Sequence, residues 1–185
     1  MPFPGGALQG VGFHATNGLR QSHGTGKGNQ EVASYVEHGP YREEDPAART
    51  RSRVWRALTD AREFGAWFRV DLEGAFAEGA TVRGRITHPG YEHLTMEMMI
   101  ERMEPERLFS YRWHPFAVRT DVDYSAEPTT LVEFSLEETS AGTLLTIVES
   151  GFDRIPSDRR AEALRMNDGG WSEQIKNIER HVSPA

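Results

Sequence analysis

Cysteine is absent from the 185-residue chain. That absence excludes disulfides, cysteine-ligated zinc, cysteine-ligated iron–sulfur clusters and thiol catalysis. Long hydrophobic runs are missing too: the longest span a few residues, against the roughly 20 that cross a bilayer. The start, Met1-Pro2-Phe3-Pro4, has neither the basic stretch nor the apolar segment of a signal peptide. Positive charge is in deficit, 21 Lys and Arg against 28 Asp and Glu, which gives −7. Phosphate binding needs clustered cations, so a nucleic-acid coat is disfavoured. These absences lead to the expectation of a soluble, cytoplasmic protein with no nucleic-acid or membrane partner.

What is present is unevenly spread. Eight of the 18 glycines fall in the first 30 residues, a stretch with no helical or strand period and too little apolar surface to offset its ordering entropy. Residues 1–50 are therefore read as a flexible, Gly-rich leader. Within it, Gly24-Thr25-Gly26-Lys27-Gly28 glances at a phosphate loop but fails. The motif requires glycine where Gln21 stands and Ser or Thr where Gly28 stands, and no strand leads into it.

From Val54 the texture changes. Apolar residues at 54, 55, 58, 61, 64, 67 and 68 suit an amphipathic helix and a short second one, with Gly65 marking a break or a tight contact. Period-two runs follow over 81–87, 93–103, 108–114, 131–138 and 142–150, separated by turn signals such as His88-Pro89-Gly90 and Glu104-Pro105-Glu106. Consecutive strands without intervening helices imply an antiparallel sheet. A helix is predicted from Ser157 to Val182, capped by Ser157 or Asp158. Its 3-4 stripe reads Ala161, Leu164, Asp168, Trp171, Ile175, Ile178 and Val182, with one carboxylate on the apolar side. Gly169-Gly170 beside it suggests a kink or a close approach to the sheet, at roughly 1 kcal/mol per glycine relative to alanine. A long helix on an antiparallel sheet is an α+β architecture.

Val54-Trp55-Arg56-Ala57-Leu58-Thr59-Asp60, Trp67-Phe68, Phe76-Ala77-Glu78-Gly79-Ala80, Glu104-Pro105-Glu106-Arg107-Leu108, Thr146–Phe152 and Gly170-Trp171 with Ile175 and Ile178 form a set. Together they resemble the SRPBCC (START-like) superfamily, and within it the bacterial homologues of the activator of heat shock protein 90 ATPase. The resemblance covers residues 51–183. It implies the helix-grip fold, with a curved seven-stranded antiparallel sheet wrapped around a long C-terminal helix and a cavity between them. Such folds host carriers, sensors, cyclases and cochaperone modules, so function is not settled by it.

One segment departs from the family. Its first strand comes just before the Val-Trp helix, where residues 41–50 here show no strand pattern. Asp45-Pro46 suits a helix cap, which would start the helix earlier. A reading-frame shift upstream of Arg51 is the other explanation. A permitted codon choice for residues 41–50, read one base on, gives Ile-Glu-Arg-Lys-Thr-Leu-Leu-Arg-Ala-Pro, a strand of the family's kind.

No metal motif, nucleophile elbow or nucleotide fingerprint stands out. His88 and His93 straddle a turn, a site pairing them with Asp121 or Asp123 has no dedicated spacing, and neither metal nor cofactor is expected. Glu97, Glu101, Glu133 and Glu137 recur at strand spacing as a solvated face, as do Arg83 and Arg85. Better cavity candidates are polar or soft groups whose pattern points inward. Asp168, with Asn167 and Trp171, marks the helix stripe, where a buried carboxylate resists ionisation unless paired. Phe109, Tyr111 and Trp113 share one face of a central strand, followed by His114. Met96, Met98, Met99, Met103 and Met166 offer an adaptable apolar wall, foremost Met96 and Met98. Three functions fit: a binding protein for a small apolar or aromatic molecule, a cavity enzyme moving protons through Asp168, His114 or Tyr111, and a chaperone-interaction module of the kind the family name suggests. The first is the expectation.

Overall fold

A computed structural model describes residues 50–139 and 142–183, together with two strand segments at 14–16 and 34–37. Thr50, in extended conformation, caps α1 (Arg51–Thr59) by accepting from the Arg53 amide at 3.2 Å. The helix thus begins at Arg51 rather than earlier, and the Asp45-Pro46 cap lies outside the described residues. Asp60 ends α1 and caps α2 (Ala61–Phe68), its carboxylate accepting from the amides of Arg62 and Glu63. A short polar residue at each start satisfies donors that a helix leaves orphaned. Gly65 is a close contact: a Cβ there would lie 2.3 Å from the Val70 carbonyl oxygen.

The sheet strands are β1 (His14–Thr16), β2 (Ser34–Glu37), β3 (Val70–Glu73), β4 (Thr81–Ile86), β5 (Thr95–Glu104), β6 (Leu108–Trp113), β7 (Thr130–Thr139) and β8 (Gly142–Ser150). Their order is β1-β2-β8-β7-β6-β5-β4-β3, with every pairing antiparallel. The five period-two runs match β4 to β8. β3 escaped notice because four residues are too few to show a period. Two short strands lie within the stretch read as a leader, and β2 pairs with β8. With β1 beyond it the sheet has eight strands, one more than the resemblance implied. A register shift between Ile100 and Arg102 breaks the β5–β6 ladder and bends β5.

After a single 3-10 turn (Phe152–Arg154), α3 runs unbroken from Ser157 to Val182. Neither Ser157 nor Asp158 caps it: Pro156 precedes it with no side-chain cap, and its carbonyl accepts from the amides of Arg159 and Arg160. No kink occurs at Gly169-Gly170, and both glycines face open space. The buried residues of α3 are Ala163, Asn167, Trp171, Ile175, Asn177, Ile178 and Val182. The predicted stripe is right from Trp171 onward. Before it, the buried positions lie four and eight residues back, at 167 and 163, and Asp168 falls off the buried face.

The core forms where inward faces of β4 to β8 meet α1, α2 and the second half of α3. Phe64 sits at its centre, its ring 4.7 to 6.4 Å from those of Trp67, Phe68, Phe76, Phe109 and Tyr111. Each such fully buried apolar side chain contributes about 1.5–3 kcal/mol relative to exposure. The helix-grip α+β class is therefore the class observed. No described helix is long and apolar enough to cross a membrane.

Candidate functional site

A cavity of about 470 Å³ opens between the sheet and the first half of α3. Its inner wall is built by Phe68 from α2, Met96 from β5, Trp113 from β6, and Met166, Asn167 and Trp171 from α3. The loop after β6 contributes Phe116 and Tyr124, and exposed His88 and Tyr91 stand at the rim. Gly170 also lines it, so the missing side chain leaves volume open where alternation on the helix would place a side chain. Phe68, Trp113 and Trp171 form a three-ring corner, with centroid distances of 5.9 Å between the indoles and 6.1 Å from Phe68 to each.

Behind that corner lies Glu149, which is 0% exposed. Strand alternation puts it on the inward face of β8 with Leu145 and Ile147. Its Oε1 accepts from Trp113 Nε1 at 2.8 Å, Thr130 Oγ1 at 2.6 Å and Asn167 Nδ2 at 3.0 Å. Its Oε2 accepts from Trp171 Nε1 at 2.7 Å and Asn167 Nδ2 at 3.0 Å. Burial pushes this carboxyl above the usual glutamate range, and the bonds from Thr130, Trp171, Trp113 and Asn167 oppose that rise. Among the described residues no cation pairs with it. The Tyr111 hydroxyl is buried without a hydrogen-bond partner, and its ionisation is pushed well up by burial first and by the Glu149 charge second.

Of the residues anticipated from the sequence, Met96, Trp113, His114, Asn167 and Trp171 line the cavity. Tyr111 and Met98 do not: both are fully buried in the core, Tyr111 among the rings of Phe64, Phe109, Trp113 and Phe134. Asp168 is half-buried and off the cavity wall, and its backbone carbonyl accepts from Ser172 Oγ. The solvated-face reading of the outer glutamates and arginines fits the ion pairs Arg83–Glu97 and Arg112–Glu101. Asp121 pairs with Arg119, and Asp123 accepts from the Ser125 amide. The described residues bring together no group of three or more His, Asp or Glu side chains able to hold a metal.

Glu149 is the residue that sequence reasoning missed. It stood in a strand of apolar and β-branched residues, and its signal was a carboxylate in phase with the inward positions 145 and 147. Met166, expected in the apolar wall, does line the cavity, whereas Phe68 and Gly170 were not singled out as cavity residues, since the helix pattern marks burial and not the void beside it.

Residues 48–183 match the family model described as activator of Hsp90 ATPase homolog 1-like protein. Among curated proteins none matches. Solved structures with the same fold include MLL2253 from Mesorhizobium loti, at 21% identity and a TM-score of 0.61, covering 81% of this chain and 96% of that one. Ms6760 from Mycobacterium smegmatis is 14% identical, with a TM-score of 0.63 and coverage of 93% and 97%. CalU16 from Micromonospora echinospora is 21% identical, with a TM-score of 0.54 and coverage of 84% and 78%.

Proposed function

Because the chain belongs to the activator of Hsp90 ATPase homolog 1-like family, whose fold here leaves a large aromatic-walled cavity, we propose that it binds a small apolar or aromatic molecule between sheet and helix. The observation that carries this reading is the corner of Phe68, Trp113 and Trp171 facing about 470 Å³ of open space. That volume lies within the range of small-molecule sites, roughly 300–1,000 Å³. Both indole N–H groups are already engaged by Glu149, so the corner offers ring surface and little donor capacity. Of the three residues considered for proton transfer only His114 reaches this wall, its Nε2 3.2 Å from the Glu127 carbonyl oxygen, while Asp168 stands away from it and Tyr111 is sealed in the core, which favours binding as the reading.

Native mass spectrometry of freshly purified protein tests the reading. The expected result is a retained small molecule, or uptake of 2-naphthalenemethanol by empty protein. Protein that is empty and stays empty overturns it. Capture of heat shock protein 90 with a stimulated ATPase rate would move the function to a chaperone module instead.

A further inference from the structure

We propose that the cavity selects for a positively charged nitrogen: its preferred ligands are aromatic or alkyl amines in their ammonium form, and carboxylates are rejected. The inference rests on the small-molecule reading above and adds the charge of the ligand to it.

Three observations converge. First, among the described residues lining the cavity there is no lysine or arginine, while Glu97 stands at its rim. Glu97 is paired with Arg83, and Arg159, whose guanidinium lies 4.8 Å from the ring of the lining residue Tyr124, is held by Glu127 and the Pro115 carbonyl. Neither arginine is left free to receive a ligand's carboxylate. Secondly, Glu149 lies directly behind the wall with no Lys, Arg or His paired to it among the described residues. Its partners Trp113, Trp171 and Asn167 present N–H donors to both of its oxygens, which is the surrounding of an ionised carboxylate. A carboxylate accepting from an indole N–H enriches that ring in electron density, and Trp faces are the strongest cation–π partners among side chains. Two such rings, joined by Phe68, form the corner.

Thirdly, each of the two histidines of the lining spends one ring nitrogen as a donor to a backbone carbonyl. His114 Nε2 lies 3.2 Å from the Glu127 carbonyl oxygen, and His88 Nδ1 lies 3.0 Å from that of Pro89. A carbonyl only accepts, so each of these nitrogens donates, and the other ring nitrogen of the neutral imidazole is an acceptor. An ammonium N–H finds partners in such a lining, whereas a carboxylate finds none of the cations it needs.

The test uses three probes of one shape: 2-naphthylmethylammonium, 2-naphthalenemethanol and 2-naphthoate, titrated by calorimetry into the full chain near neutral pH at low and high salt. The ammonium should bind about tenfold more tightly than the alcohol, the size of a desolvated cation–π contact, and the carboxylate more weakly than either. Because Glu149 is buried, the preference should persist at high salt, where exposed charges are screened. Glu149→Gln should bring the ammonium to within about threefold of the alcohol while the alcohol still binds. Should that variant fail to fold, the probe series on the unaltered chain still decides. Equal binding of ammonium and alcohol, tightest binding of the carboxylate, or a preference that vanishes in salt would overturn the charge inference and leave the small-molecule reading standing. Binding of none of the three overturns both.

Discussion

From Trp171 onward, α3 turns Ile175, Ile178 and Val182 into a core closed by α1 and α2, whereas before it Met166, Asn167 and Gly170 border open volume. The two halves also handle their carboxylates, half-buried Glu63 and fully buried Glu149, in opposite ways. In the closed half, Glu63 bridges three elements through Arg53 and Arg56 of α1 and His181 of α3. Burial alone would raise its pKa, but hydrogen bonds from His181 and Arg53 and the charges of Arg53 and Arg56 bring it below the usual value. In the open half, Glu149 meets neutral donors only, and burial dominates. One carboxylate ties helices together through Arg53, Arg56 and His181, while the other pins the two indoles of a cavity wall with neutral donors alone. Continuous packing thus ends where polar organisation begins.

The comparison is broken most severely at the centre of the closed half. Phe64→Ala removes a fully buried ring with five aromatic neighbours and should cost about 3–5 kcal/mol in urea unfolding. In the open half, Glu149→Leu keeps the bulk but leaves the donors of Trp113, Thr130, Asn167 and Trp171 unpaired. A loss of about 3 kcal/mol is expected, with a changed near-ultraviolet dichroism from the released indoles.

Acid separates the halves by sign. The folded pKa of Glu149 is raised, so its contribution is fully present below the unfolded value near 4.5 and is lost as pH rises through the folded value. The folded pKa of Glu63 is lowered, so its contribution is present above the unfolded value and is lost as pH falls through the folded one. Glu149→Gln should therefore gain on the unaltered protein as pH rises above about 4.5, and Glu63→Gln should lose, in unfolding measured across pH.

Smaller effects sharpen the contrast. Gly170→Ala should stabilise the helix by about 1 kcal/mol, since nothing lies within 4 Å of the added carbon. Gly170→Leu should keep the fold while filling the cavity and abolishing probe binding, a dissociation that no closed-half substitution should give. The smallest effect belongs to Asp168→Asn: within about 0.5 kcal/mol in stability, with probe binding unchanged.

How much was legible in the sequence follows the same division. Strand periods and the 171-175-178-182 stripe identify the closed half, because a packed face repeats with its element. The first half of α3 was misphased by one position: Leu164 and Ala161 offered an apolar alternative to Ala163, and a polar Asn167 did not look buried. Alternation shows which face Tyr111, Met98 and Trp113 share, but not that Tyr111 and Met98 meet packed side chains while Trp113 meets a void. For Tyr111 that difference depends on Phe64 arriving from α2. Glu149 was legible in principle, since its phase with Leu145 and Ile147 is a period-two statement.

The four tryptophans divide between the halves: Trp67 donates to the Ala57 carbonyl in the closed core and Trp55 packs at its margin, while Trp113 and Trp171 donate to Glu149 at the cavity. Indole N–H resonances followed by NMR during titration with 2-naphthylmethylammonium therefore test the central claim directly. The account predicts that the Trp113 and Trp171 signals move together while those of Trp55 and Trp67 stay in place; four unmoved signals, or four that move alike, would contradict it.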